Sequence, residues 1–215
     1  MVKMFIRMDE ENIAGEQTYD INRINEYLDT ICFEKGLIKD RYDCYSNGTF
    51  EKVGGLVSHL SKLEWFTENV KIWLYFSNDN NKDHYEIEDI ISVYLPEKTE
   101  PLVLMEIGFN RSKLKFAGTS ADKILSKYMG YCEEHGICRP QENVFAASGN
   151  HAVALMKSII DDLTKSDFFL YIVNDWYWSI GDEHEDLLGR ALGYREETDS
   201  LPEWAVFSEE TEKLW

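Results

Sequence analysis

The sequence predicts an α+β protein made of two tandem copies of one β-α-α-β-α unit, followed by a C-terminal extension. Three observations predict this fold class. Four sequence blocks recur in the same order, a polar segment with proline at both ends (Pro96 to Pro101) divides the chain, and 44% of the residues are hydrophobic. That apolar content is enough for each half to bury its own core. We therefore predict a first lobe at residues 1–98, a second, homologous lobe at 99–192, and a tail at 193–215 that packs on the second lobe.

The recurring blocks indicate duplication of one unit. They pair residues 14–24 with 117–124, 32–37 with 132–137, 74–79 with 170–175, and 86–91 with 183–188. Each pair is short, but four matches in the same order, at offsets between 96 and 103 residues, indicate internal repetition. From this alignment we expect Gly36 to superpose on Gly136 and Leu74 to superpose on Leu170.

A short apolar strand and an amphipathic helix open each unit. The strands are predicted at Lys3 to Met8 and Leu102 to Phe109, and the helices at Asp20 to Lys35 and Ser120 to His135. Apolar residues at helical spacing, such as Ile21, Ile24 and Leu28, predict the face of the first helix that packs on the core. Gly36 and Gly136 follow the helices, where a residue with left-handed backbone often ends a helix.

A second helix, an aromatic strand and a short acidic helix complete the unit. The second helices are predicted at Glu51 to Leu63 and Asn150 to Thr164, the aromatic strands at Val70 to Phe76 and Phe168 to Val173, and the last helices at Glu86 to Leu95 and Asp182 to Leu192. Aromatic and β-branched residues favour the strands, and carboxylates in the first turn favour the last helices because of the helix dipole. Ser148 is the expected N-cap of its helix. Gly54 and Gly55 predict a point of close packing.

The net charge of the chain indicates what kind of partner the protein binds. Lys and Arg number 22 and Asp and Glu 40, which gives a net charge of −18. Such a chain repels phosphate groups and anionic lipids, so we expect a basic protein partner and no direct binding of nucleic acid or membrane. No segment is apolar and long enough for a signal peptide or a membrane span, so we expect a cytoplasmic protein.

Two groups of reactive residues are incomplete as catalytic or metal sites. Cys132, His135 and Cys138 offer three zinc-type ligands without the fourth that a structural site needs. We expect no bound metal or other cofactor, and free, mostly buried thiols, because four cysteines are too few for a disulfide framework in a chain of this length. Ser148 and His151 lack the oriented third group of a nucleophilic site.

The acidic segments that follow the two aromatic strands are the candidate partner-binding site. The candidate residues are Asp79, Asp83, Glu86, Glu88, Asp89, Asp175, Trp176, Trp178, Asp182, Glu183, Glu185 and Asp186. Aromatic side chains beside charges are typical anchors of protein interfaces. The alternative is that the tryptophans belong to the core and the acids form a solvated rim. On a helix, Asp182 would share a face with Glu185 and Asp186.

The first unit resembles small acidic single-lobe proteins carried by mobile elements of Gram-positive bacteria. The resemblance covers about residues 4–95 and rests on Met8 to Asn12, Tyr19-Asp20, Trp65-Phe66, Asn69-Val70, Trp73 and Glu88 to Ile91. It implies a setting of phage or plasmid counter-defence, in which acidic proteins block basic nucleases. It implies no catalytic residue.

These observations favour an inhibitor that is not an enzyme. Such an inhibitor would occupy the nucleic-acid groove of a basic enzyme, in the manner of an anti-CRISPR, anti-restriction or toxin-immunity protein. One alternative is an oligomeric scaffold whose charge serves only solubility. The other is a hydrolase with a metal or acid/base site in the second lobe around Asp175 and Asp182 to Asp186.

Overall fold

Each half of the chain forms its own antiparallel sheet with helices packed against it. The computed structural model describes residues 2–16, 19–40, 43–77, 86–98 and 100–198. The first lobe comprises residues 1–100 and the second lobe residues 101–215. Each lobe has one five-stranded antiparallel sheet and the same order of elements, so the predicted fold class is confirmed.

The first lobe has a sheet of strand order β2-β3-β1-β4-β5. Its strands are β1 (Val2–Met8), β2 (Ile38–Lys39), β3 (Cys44–Gly48), β4 (Val70–Ser77) and β5 (Glu86–Asp89). Its helices are α1 (Glu10–Glu16), α2 (Ile21–Glu34), α3 (Phe50–Leu60), α4 (Glu64–Asn69) and α5 (Ile90–Tyr94).

The second lobe has the equivalent order, β7-β8-β6-β9-β10. Its strands are β6 (Leu102–Phe109), β7 (Cys138–Gln141), β8 (Val144–Ser148), β9 (Val173–Ile180) and β10 (Glu183–Asp186). Its helices are α6 (Arg111–Phe116), α7 (Ala121–Glu134), α8 (Asn150–Thr164), α9 (Asp167–Ile172) and α10 (Leu187–Thr198). In both lobes the sequence did not predict the two short strands after the first long helix or the short helix before it.

The register of the central strands matches between the lobes. Ile6 of β1 faces Trp73 of β4, and Ile107 of β6 faces Trp176 of β9. Leu74 therefore corresponds to Tyr177, and the expected superposition of Leu74 on Leu170 is wrong. The two central strand pairs also carry their register shift near the same point, close to the C-terminal ends of β1 and β6.

The first long helix of each lobe lies within one residue of its predicted bounds at each end, because the predicted terminal residues are the helix caps. The side chain of Asp20 accepts a hydrogen bond from the backbone N–H of Asn22 at 2.9 Å. The hydroxyl of Ser120 likewise accepts a hydrogen bond at 3.2 Å from the backbone N–H that lies three residues further along the chain. Gly36 and Gly136 follow with φ of 77° and 69°, a backbone region that glycine enters at little cost. These local signals explain why the sequence located both helices correctly.

The strand predicted at Phe168 to Val173 is wrong. Most of the segment lies in helix α9, and strand β9 begins only at Val173. The Ser166 hydroxyl caps the helix by accepting from the Phe169 N–H at 3.2 Å. Phe169 and Ile172, one helical turn apart, are both buried in apolar clusters. Tertiary packing at helical spacing therefore overrides the β propensity of this aromatic sequence.

The two acidic segments predicted as helix starts are edge strands instead. Strand β5 pairs with β4 and strand β10 with β9, and the helices begin only at Ile90 and Leu187. Asp89 and Asp186 then cap the following turns by accepting from backbone N–H groups at 3.0 and 2.9 Å. Carboxylates on an edge strand oppose pairing with further strands, which gives these acids a structural use in a sheet.

Two smaller predictions about the second helices are also wrong. Ser148 is the last residue of β8, and Gly149, with φ of 93°, is the N-cap of α8. A Cβ atom added to Gly54 or Gly55 would meet no atom within 4 Å, so these glycines do not mark close packing.

Matching tryptophans occupy the two cores. The rings of Phe66 and Trp73 meet edge to face at 4.9 Å between centroids, and those of Phe169 and Trp176 do so at 5.0 Å. All four side chains are buried between sheet and helices. Within the part of the chain that the structure describes, no helix is both long and apolar enough to cross a membrane.

Candidate partner-binding site

Both tryptophans of the predicted interface lie in the core of the second lobe. Trp176 is 0% exposed and Trp178 is 7% exposed. Side chains alternate between the faces of a strand, so Tyr177 points to the opposite face and is 42% exposed. The tryptophans are therefore not exposed anchors of an interface. The alternative prediction, that they belong to the core, is correct.

The acidic candidates differ in how accessible they are. The exposed ones are Glu86, Glu88, Asp182, Glu183 and Asp186, and the half-buried ones are Asp89, Asp175 and Glu185. Asp79 and Asp83 lie outside the described residues. Burial raises the pKa of the Asp89 carboxyl, while its hydrogen bonds with Ile91 and Ser92 act in the opposite direction. The exposed carboxylates form the part of the candidate site that a partner can reach.

Because β10 is a strand, its side chains divide between two faces. Glu185 faces Trp178 on the core side of the sheet, whereas Asp186 faces Tyr177 on the other side. Side chains on one face repeat about every 7 Å along a strand. The predicted shared helix face of Asp182, Glu185 and Asp186 is therefore wrong, and the acids form a row along an edge.

Glu185 is held by side chains of its own lobe. The Trp178 indole N–H donates to one carboxylate oxygen at 2.8 Å, and the Arg190 guanidinium donates to the other at 2.6 Å. The Lys157 ammonium lies 5.9 Å from the Trp178 ring centroid. The charge of Glu185 is thus compensated within the lobe, and Asp182 and Glu183 remain the exposed acids at this end of β10.

Asp175 packs against the central strand of the second lobe. It faces Gly108 of the central strand β6, and a Cβ atom on Gly108 would lie 2.9 Å from an Asp175 carboxylate oxygen. The glycine therefore makes room for this side chain. Among the described residues, no group of three or more His, Cys, Asp or Glu side chains is placed to hold a metal ion.

The cysteines and histidine of the incomplete zinc motif point in different directions. Cys132 is buried in the core, and burial raises the pKa of its thiol to about 11. The His135 ring is exposed and stacks on Tyr131 at 4.2 Å, and Cys138 donates to the Ala146 carbonyl at 3.1 Å. All four cysteines are free and three are buried, which confirms the expected state of the thiols.

The two residues of the other proposed catalytic pair belong to different elements of the second lobe. Ser148 ends strand β8 and is half-buried, whereas His151 lies exposed in the first turn of α8.

The first lobe contains a pair of residues equivalent to Trp178 and Glu185, but among its described residues it has no equivalent of the two cationic side chains that accompany that pair in the second lobe. Tyr75 faces Glu88 across β4 and β5, as Trp178 faces Glu185. Helices α5 and α10 each begin directly after the acidic strand, so Val93 corresponds to Arg190. The buried residues of α3 align with buried residues of α8 when the numbering is shifted by 103. This alignment places Gly54 at the position of Lys157.

Sequence reasoning missed this difference between the lobes. The incorrect match of Leu74 with Leu170 shifted the aromatic strands against each other by seven residues. Aligning the lobes on Trp73 and Trp176 would have placed Tyr75 opposite Trp178 and revealed the missing cations.

Comparison with protein-family models, with characterised proteins and with solved structures finds no match to this chain. The fold and the site therefore define the class of protein by themselves: a repeated α+β protein in which each sheet ends in an acidic edge strand.

Proposed function

We propose that the protein is an acidic, protein-binding inhibitor that occupies the nucleic-acid groove of a basic enzyme. Anti-CRISPR, anti-restriction and toxin-immunity proteins are the kinds of inhibitor that fit this description. The observation that carries the proposal is the acidic edge strand, which recurs as Glu86–Asp89 and Glu183–Asp186 in a chain of net charge −18.

The electrostatics of such a strand suit a groove that normally holds phosphate groups. Residues 1–100 and 101–215 each carry a net charge of −9, with 11 basic and 20 acidic side chains in each half. Exposed carboxylates in a row attract the Lys and Arg side chains of the groove and accelerate diffusional encounter. Screening by salt over a Debye length of about 8 Å would weaken this attraction at physiological ionic strength.

A panel of purified basic enzymes tests the proposal. The panel contains an RNA-guided nuclease, a restriction endonuclease and a toxin ribonuclease, each assayed for cleavage with and without the protein. We expect one class to be inhibited, with binding that weakens as salt rises and that competes with nucleic acid. Absence of binding to every member at low salt, or binding that leaves the nucleic acid in place, would contradict the proposal.

Neutralising the exposed acids near β10 is expected to slow association with the inhibited enzyme. In the double variant Asp182→Asn/Glu183→Gln, two exposed charges are lost without changing the capping carboxylate of Asp186 or the Glu185 network. We expect the association rate constant at low salt to fall about fivefold and its salt dependence to flatten, because steering depends on local charge. Biolayer interferometry at several salt concentrations measures both quantities.

The matched control is Glu133→Gln/Glu134→Gln, which removes two exposed charges at the end of α7. Both double variants change the net charge equally. If the edge strand meets the partner, the control retains most of the wild-type association rate. Equal rates for the two variants would show that only net charge matters and would remove the edge strand from the interface.

A further inference from the structure

We infer that the first lobe binds an arginine side chain of its partner at the Tyr75–Glu88 pair, in the position that Arg190 fills in the second lobe. The inference deepens the proposed function and rests on it for the identity of the macromolecule that supplies the arginine. The chemistry of the pair is tested separately with a small probe.

The second lobe shows the complete arrangement. Arg190 donates to Glu185 at 2.6 Å, Trp178 donates to the same carboxylate, and Lys157 lies over the indole ring. An aromatic side chain, a carboxylate and a guanidinium thus meet on the core side of the edge strand. The first lobe retains the aromatic and the carboxylate at the same register.

The first lobe lacks both cations at this place. Val93 and Gly54 stand where the second lobe has Arg190 and Lys157. Glu88 is exposed, and no described Lys or Arg lies within ion-pair distance of its carboxylate. An external guanidinium can therefore reach a carboxylate that has no internal counterion among the described residues.

The Tyr75 hydroxyl adds a second polar group without a partner. The side chain is 7% exposed, and its hydroxyl oxygen is buried with no hydrogen-bond partner among the described residues. Burial and the nearby Glu88 charge both raise the pKa of this hydroxyl, so it stays protonated at neutral pH. Its oxygen can accept a hydrogen bond from an N–H donor, which would satisfy a buried polar group.

Exposed apolar side chains favour arginine over lysine as the ligand. Phe50 is 76% exposed and meets the Tyr75 ring edge to face at 6.2 Å, and Val93 is 67% exposed. A guanidinium is planar, stacks on aromatic rings and binds a carboxylate with two parallel hydrogen bonds. An ammonium is a compact, strongly hydrated charge that uses such surroundings less well.

The test is a titration of the full-length, ¹⁵N-labelled protein with Nα-acetyl-L-arginine amide, followed by amide chemical shifts. We expect saturable shifts at residues 86–94 with a Kd of about 1 to 10 mM, the range of a single side chain. The lysine analogue should bind several-fold more weakly. The citrulline analogue, which is neutral and of similar shape, should not saturate. Equal shifts with citrulline, or no saturable shifts with arginine, would overturn the inference.

Reciprocal variants assign the response to this pair. Glu88→Gln should weaken arginine amide binding at least tenfold. Gly54→Lys/Val93→Arg should abolish binding by filling the site, and Gly54 has room for a side chain. Lys157→Gly/Arg190→Val should create a second saturable response at residues 183–191. Unchanged binding by Glu88→Gln and by the filled variant would assign the response elsewhere and overturn the inference.

The amide spectrum of each variant also reports whether it is folded. Since the probe is a single amino-acid derivative, arginine binding can fail while an enzyme of the panel is still inhibited, and the reverse can also occur. The two proposals therefore fail independently.

Discussion

Replacing Trp176 with alanine is expected to destabilise the second lobe by about 4 kcal/mol, roughly a thousandfold in its unfolding equilibrium. Trp176 is fully buried, and its ring packs edge to face against Phe169. The substitution removes a large apolar surface and leaves a cavity that a close-packed core closes only in part. Urea denaturation followed by circular dichroism measures the loss, and hydrogen exchange with mass spectrometry locates it.

The matched control for this prediction is Tyr177→Ala in the adjacent position. Tyr177 is a large aromatic residue of the same strand, but it points to the other face of the sheet and is partly exposed. We expect a smaller loss, about 1 to 2 kcal/mol, because less buried surface disappears than at the fully buried Trp176. A Trp176→Ala protein as stable as the control would contradict the placement of the indole ring in the core.

Three of the four thiols are expected to react about a hundredfold to a thousandfold more slowly than free cysteine in the folded protein at pH 8. Burial raises the pKa of Cys32 and of Cys44 from 9.0 to about 12, and that of Cys132 to about 11. The thiolate is the reactive form, so each unit of pKa increase lowers its fraction about tenfold. The slowing is therefore about a thousandfold for Cys32 and Cys44 and about a hundredfold for Cys132, before steric protection is added.

Titration with Ellman's reagent measures these rates. In the native protein only Cys138, which is half-buried, should react in a fast phase, and all four thiols should react in denaturant. The variant Cys138→Ser should lose the fast phase. Raising the pH from 8 to 9 should speed the slow phases about tenfold, since this range lies below the pKa values of all three buried thiols. Two or more fast thiols in the native protein would be inconsistent with the burial described.

Features with a local cause could be predicted from the sequence. The bounds of α2 and α7 follow from a capping residue, helical spacing of apolar side chains and a terminal glycine, all within about 17 consecutive residues. The α+β class and the repetition follow from the order of such segments. Strand β6 was predicted with its observed bounds because it is a short apolar run between polar residues.

Features that depend on pairing between distant residues were not predictable in this way. The segment at 167–172 has strand-like composition but forms a helix, and β9 begins only where pairing with β6 becomes available. The acids of Glu183–Asp186 are as compatible with the first turn of a helix as with a strand. The segment forms a strand because it pairs with β9. In both cases the local propensities are weak relative to the contacts that the sheet provides.

The sequence by itself determined the acidic charge, the repetition and the identity of the candidate acids, because these depend only on composition and order. Only the tertiary structure decided that Trp176 and Trp178 are buried, that Glu185 is neutralised by Arg190, and that Glu88 has no such counterion among the described residues. The physical reason is strand register. A shift of one residue exchanges the two faces of a strand, and register is set by the partner strand rather than by the strand's own sequence.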